Sequence, residues 1–173
     1  MKPVTKITIL LFFILIIIGC NNTNKGSYKP PFYESDSLRI VYYKLNSSER
    51  YSETIMLSKE ELKNCINYTY SYKNLQESND SISFYKDSIV LNNRKINFLQ
   101  DKTYLNGTRE TLLRKYEVDY IYNSLNLFFN EKNKLVMSRS ISANIVVEYY
   151  NKSDPSNIHS LILKDSTFFE PEW

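Results

Sequence analysis

The last third of the chain carries the most regular pattern. Val118, Tyr120 and Tyr122 alternate with polar residues, as do Leu125, Leu127 and Phe129, and then Ala143, Ile145, Val147 and Tyr149. Alternation at period two sets one face of a strand in a core and the other in water. An NEKN loop at 130–133 and the loop Asn151–Asn157, with its Asp154-Pro155 step, punctuate these runs. Leu135–Ile141 and a final strand opened by Leu161 and Leu163 complete an antiparallel meander with one buried face. Upstream, Leu38–Leu45, Tyr51–Leu57, Ile82–Lys86, Ile89–Leu91 and Lys95–Leu99 read as further strands. Asn92-Asn93 is expected to form a tight hairpin turn, because Asn tolerates positive φ.

Two segments follow helical spacing instead. Ser58 and Glu61 fit a capping box, in which hydroxyl and carboxylate each satisfy a free backbone N–H. Leu62, Cys65, Ile66 and Thr69 follow at helical intervals, which predicts an amphipathic helix from Ser58 to about Lys73. Its far end, NYTYSYKN, suits a strand equally. Thr108–Tyr116 is a candidate short helix. The expected fold is therefore α+β: a mostly antiparallel β-sheet with one amphipathic helix packed on it. The alternative is an all-β sandwich or a small barrel.

The N-terminus is built differently. Lys2 and Lys6 precede an apolar run, Ile7–Ile18, broken only by Thr8. Such a run has the length of a secretory leader and is too short to span a bilayer comfortably. It ends in Ile17-Ile18-Gly19-Cys20. This motif resembles the lipobox of bacterial lipoprotein precursors, a resemblance confined to the first twenty residues. It implies cleavage after Gly19, thioether lipidation of Cys20 and acylation of the new amino terminus. Each buried methylene contributes roughly 0.8 kcal/mol, so several acyl chains anchor stably where one does not. By analogy with lipoprotein sorting in Gram-negative cells, Asn rather than Asp at position 21 implies the outer membrane. The lack of an acidic cluster after Cys20 leans towards its periplasmic face. The organisation expected is a signal peptide over 1–19, lipidated Cys and linker over 20–36, and one globular domain over 37–173.

Composition narrows the domain's chemistry. Removing Lys2 and Lys6 leaves 20 basic and 19 acidic side chains, with no basic run, so a nucleic-acid partner has no electrostatic footprint. Fifteen Tyr and nine Phe beside a single Ala and three Gly favour strands. After lipidation Cys65 is the one remaining thiol, so no intramolecular disulfide can form.

Candidate sites are few. Cys65 and His159, the only histidine, form the one nucleophile–base pair available. Cysteine on the apolar face of a helix more often behaves as a small hydrophobe, and His159 opens a strand after a polar loop. Zinc lacks ligands. Asn151, Ser153, Asp154 and Asn157 make an oxygen-rich loop, but Pro155 and the missing terminal acid depart from the EF-hand pattern. Glycine is too scarce for a phosphate-cradling loop. No metal or cofactor is expected. Glu60-Glu61 belong to a helix start and Glu170 and Glu172 to a tail, and nothing selects a glycosidase pair. Tyr68, Tyr70, Tyr72 and Tyr149-Tyr150 suit either a sugar-stacking platform or cross-strand sheet packing.

Asp-Ser followed by an aliphatic residue or Thr recurs at Ser37, Ser81, Ser88 and Ser166, taking in four of the seven aspartates. The pattern resembles the O-glycosylation acceptor motif of exported Bacteroidota proteins, with serine as acceptor. Turn chemistry ahead of a strand gives the same adjacency. The leading functional expectation is a non-enzymatic, lipid-anchored accessory or interaction protein of the cell envelope. A small-ligand or glycan-binding module using exposed tyrosines is the alternative, and a hydrolase comes third.

Overall fold

The computed structural model describes residues 32–72, 78–106, 108–152 and 154–170. Among them, ten antiparallel strands form a closed up-and-down barrel in which each strand pairs with its sequence neighbours and the last pairs with the first. The strands are β1 (Phe32–Lys44), β2 (Tyr51–Glu61), β3 (Cys65–Ser71), β4 (Asn79–Tyr85), β5 (Ile89–Leu91), β6 (Arg94–Asn106), β7 (Arg109–Tyr120), β8 (Asn123–Asn130), β9 (Leu135–Ser140) and β10 (Ile145–Tyr150). Two short helices follow, α1 (Ile158–Lys164) and α2 (Ser166–Phe169). The α+β expectation is overturned, and its barrel alternative fits.

The predicted helix from Ser58 is the main error. Ser58 lies inside β2, between Ser35 of β1 and Thr69 of β3. The chain reverses at Lys63-Asn64, where Leu62 N–H donates to the Cys65 carbonyl at 2.9 Å. The stronger signal was the alternation around that turn: Ile55 and Leu57 before it, Tyr68 and Tyr70 after it, all buried on one face. Thr108–Tyr116 is not helical either; from Arg109 it belongs to β7, with Thr111, Leu113 and Lys115 buried in alternation. The final strand expected at Leu161 is the helix α1, which buries Ile158, His159 and Ile162. The stretch read as linker up to position 36 contributes the first five residues of β1, paired from Phe32–Glu61 to Asp36–Leu57. The lipobox, Gly19 and Cys20 lie outside the described residues.

The meander read in the last third holds as β7–β10, with Val118, Leu125, Leu127, Phe129, Leu135, Val147 and Tyr149 in the lumen cluster, but Tyr122 and Ala143 lie in turns between strands, Tyr122 90% exposed. Asn92-Asn93 turns as expected, at φ 47° and 66°. Asn46, Asn133 and Asn144 also take the left-handed region at turns, which explains how so glycine-poor a chain reverses so often.

Two cores result. One fills the lumen, where a ten-strand barrel leaves more room than an eight-strand one and needs large side chains to close it. Tyr68, Tyr70, Tyr72, Tyr149, Phe84 and Phe129 supply them, with Tyr68 on Phe84, Phe84 on Phe129 and Tyr70 on Tyr149 packed edge to face at ring centroids 5.4–5.8 Å apart. Their hydroxyls find partners inside: Tyr70 accepts from Leu135 N–H at 3.2 Å, and the Tyr72 and Tyr149 hydroxyls lie 3.3 Å apart. Burial pushes the phenols of Tyr70 and Tyr72 up, well above their ordinary range. The second core lies outside the barrel wall, where Ile158, Ile162, Phe168 and Phe169 cover Val41, Leu113, Phe128, Val136, Met137 and Val146.

Candidate functional site

An apolar lumen within a wall whose outer side on β2–β4 presents Thr54, Ser58, Asn67, Thr69, Ser81 and Ser83 is a water-facing design. A lipid-facing barrel needs the reverse. The tyrosines considered for a sugar platform, Tyr68, Tyr70, Tyr72 and Tyr149, are buried in that lumen, so they build the core rather than a binding surface. Tyr150 points the other way and is partly exposed.

An opening lies at one barrel end. β5 is three residues long and pairs with β6 only from Arg94 to Ile96. β6 runs on to Asn106 with β7 alone beside it. The mismatch leaves a recess of about 610 Å³ between the β4–β5 turn, β6, β7 and the β8–β9 turn. Phe84, Ile89 and Ile96 form its apolar floor, and Tyr85, Phe98 and Tyr116 its aromatic rim. Tyr85 is 45% and Phe98 55% exposed, with Phe98 set edge-on to Tyr116 at 5.5 Å. Lys86 and Lys95 line the recess with Asp87, and Lys63 stands in an adjoining hollow beyond the turn. Among the described residues none of the three lysines enters an ion pair. Chemically the arrangement offers flat apolar surface for contact and positive charge for steering.

Sequence reading missed this site, although it placed a strand over Lys95–Leu99. The signal available was the disparity between a three-residue apolar run at Ile89–Leu91 and the much longer β6 that follows it.

The other candidates separate. Cys65 is half-buried in β3, opposite Tyr85 of β4. His159 is buried on α1, not at the opening of a strand as expected, with Nε2 3.2 Å from the carbonyls of both Val136 and Tyr149. Carbonyls only accept, so Nε2 carries the proton and the imidazole serves to seat the helix. Its ring packs against Tyr150, not against Cys65. In the oxygen-rich loop, the Asp154 carboxylate accepts from the side-chain amides of Asn130 at 2.6 Å and Asn151 at 2.8 Å, which ties the loop to the β8–β9 turn. Ser153 lies outside the described residues. Glu60 accepts from the Tyr33 hydroxyl and Glu61 pairs with Lys59, both in strand β2 rather than at a helix start. Glu170 pairs with Arg139 at 3.0 Å, and Glu172 lies outside the described residues.

The four Asp-Ser sites divide by exposure. Ser37 and Ser166 are exposed, whereas Ser81 and Ser88 are half-buried, with the Ser81 hydroxyl donating to Asn67 at 2.8 Å. Turn chemistry explains Asp87-Ser88, which leads into β5, and Asp165 caps α2. Asp36-Ser37 and Asp80-Ser81 sit within strands, where a turn explanation does not reach.

Outside the site, a buried carboxylate anchors the far wall. Glu148 accepts from the hydroxyls of Tyr43 at 2.8 Å and Tyr150 at 2.6 Å, with Arg50 at 3.9 Å. Burial, then the bond to Glu148, pushes the Tyr150 phenol up to about 12.

Compared with known proteins, the chain matches no protein-family model and no curated sequence.

Proposed function

We propose that this chain is a lipid-anchored, non-enzymatic accessory protein of the cell envelope that contacts a partner through the open barrel end. The anchor is the one implied by the lipobox at Cys20, and the outer membrane, periplasmic face, is the location it favours. The observation that carries the reading is the recess beside β6: exposed Tyr85 and Phe98 flanked by Lys86 and Lys95 on a barrel whose lumen is already filled. Aromatic side chains at the centre are what protein interfaces concentrate, and lysines around them suit the polar rim, where charge steers the encounter. The reading is tested by mild-detergent recovery of the full-length lipidated protein from its native envelope, with Cys20→Ala and Tyr85→Ala/Phe98→Ala as comparisons. A partner retained by the native chain and lost from the double variant supports it. Equal retention by the double variant sinks it.

A glycan or small polar ligand is the second reading, favoured by Ser88, Asn97 and Asn133 among the aromatic rings of the same recess. In that case Tyr85→Ala and Phe98→Ala abolish glycan-array binding, while Tyr85→Phe preserves stacking.

A further inference from the structure

We propose that the open edge of β6, from Asn97 to Asn106, is a strand-addition site for an extended, acidic segment of a partner protein. The proposal rests on the reading of the open end as the contact surface and names what enters it.

The backbone carries the argument. β6 has strands on both sides only where β5 reaches it, at Arg94–Ile96. Beyond Ile96 its ladder runs to β7 alone. In an antiparallel ladder alternate residues direct their N–H and C=O groups to opposite sides, so beyond the bulge between Phe98 and Gln100 every second residue of β6 turns them to a side that holds no strand among the described residues. Proteins normally blunt such edges with covering elements, prolines or charge, because an open edge recruits another chain. Here the cover lies elsewhere. Gln100, Lys102 and Tyr104 bind α2 and its cap across the outer face, at Thr167 and Asp165, and among the described residues no strand pairs with the edge itself.

The side chains give the partner's character. Phe98 and Leu105 are 55% and 70% exposed near the two ends of the stretch, and invite apolar side chains at alternate positions of an added strand. The barrel end of the groove carries Lys63, Lys86 and Lys95 against Asp87, so the part of the added strand nearest the barrel must be acidic. Asp101, exposed farther along β6, confines that preference to the barrel end.

The test uses the full-length lipidated protein in detergent and three synthetic nonapeptides: alternating Val and Glu, alternating Val and Lys, and the Val/Glu peptide with a central Pro. Affinity is measured together with backbone hydrogen exchange. The expected result is that the Val/Glu peptide binds and slows exchange of alternate amides between Asn97 and Asn106. Binding falls at least tenfold for the Lys and Pro peptides, and for the Val/Glu peptide on the K86E/K95E variant, whose changes sit on exposed side chains. Equal binding of the Pro peptide, protection elsewhere, or no protection by any peptide overturns strand addition. Protection of these amides by the protein's own concentration, with dimer formation, also overturns it by assigning the edge to a second copy. If the peptides fail while Tyr85→Ala/Phe98→Ala still loses the envelope partner, strand addition falls and the open-end reading stands. If that double variant keeps the partner, the open-end reading has failed.

Discussion

The two walls of the barrel are built on different plans. On the wall formed by β8 and β9, Asn126–Asn130 and Leu135–Arg139 are buried residue after residue, because the lumen covers one face and α1 and α2 the other. On the wall of β2–β4, the buried residues Ile55, Leu57, Tyr68, Tyr70, Ile82 and Phe84 fall at alternate positions, and the outer face between them carries mainly Ser, Thr and Asn, with Met56 exposed among them. A strand buried on both faces has given up its surface to stability, whereas a half-buried one can still change its outer residues freely. The opening beside β6 falls between these regimes, where the helices have claimed the outer face of the strand but not its edge.

The largest expected effect tests the covered wall. Phe128 is fully buried and packs on Phe168 at 5.4 Å and on Phe169 at 6.3 Å. Phe128→Ala is expected to cost about 3–5 kcal/mol by urea denaturation of the detergent-solubilised chain. Thr54→Ala, exposed on the bare wall, is expected to stay within about 0.5 kcal/mol. Similar costs at both positions would mean that the helices are not an integral layer.

Next comes the clasp that holds α2 to β6. Asp165 accepts from Tyr104 and Thr167, each at 2.8 Å, and from Phe168 N–H at 3.3 Å, and it pairs with Lys102. Burial alone would raise its carboxyl, but the bonds from Lys102, Thr167 and Tyr104 outweigh that and hold it at about 2. The folded value is thus depressed below the unfolded one, near 4. The stabilisation is complete above about pH 4 and is lost as pH falls towards 2. Asp165→Asn is expected to cost about 2 kcal/mol at pH 7 and almost nothing at pH 2, so the two stability curves converge in acid. Parallel curves would remove Asp165 from the acid response.

The covered wall also shows what the chain hid from a reader of its sequence. Alternation exposed β7–β10, because each of those strands keeps a lumen face of period two. The same rule fails on their outer sides: Val136 and Val146 look like interruptions until α1 and α2 lie over them. The Ser58–Glu61 capping box misled because both residues are exposed positions of one strand, Ser58 on its outer face and Glu61 on the opposite face at its end, and a two-residue turn of Lys63-Asn64 carries no glycine to announce itself. The abundant tyrosine was legible as strand composition, but its use as lumen filler depends on strand number, which no local pattern encodes. The open edge of β6 is a relation between two strand lengths, and only pairing reveals it.

A smaller effect probes the same wall at alkaline pH. The Tyr150 phenol, pushed up to about 12, and the Tyr43 phenol, raised above its ordinary range, stay protonated in the fold after an unfolded chain's tyrosines ionise near 10. The folded state then binds more protons, so stability declines as pH rises above about 10. Glu148→Gln removes the negative charge facing both hydroxyls and is expected to bring the Tyr150 transition down towards 10 in ultraviolet titration. An unchanged transition would leave burial as its whole cause.

The smallest expected effect separates the walls directly. Cys65 sits half-buried in β3 on the bare wall, while His159 is buried under α1 on the covered one. Cys65→Ser is expected to cost about 1 kcal/mol or less, since a half-buried thiol forfeits little packing when its sulfur becomes a hydroxyl. It should also leave the His159 imidazole resonances in place, because their environment is set by the Val136 and Tyr149 carbonyls and the Tyr150 ring. His159→Ala, by contrast, should disturb the seating of α1 and raise hydrogen exchange in β9. A shift of the imidazole resonances on changing Cys65 would couple the two walls through the barrel and reopen the thiol–imidazole pair as chemistry. Unmoved resonances confine each residue to its own wall, where one is a small hydrophobe and the other a helix anchor.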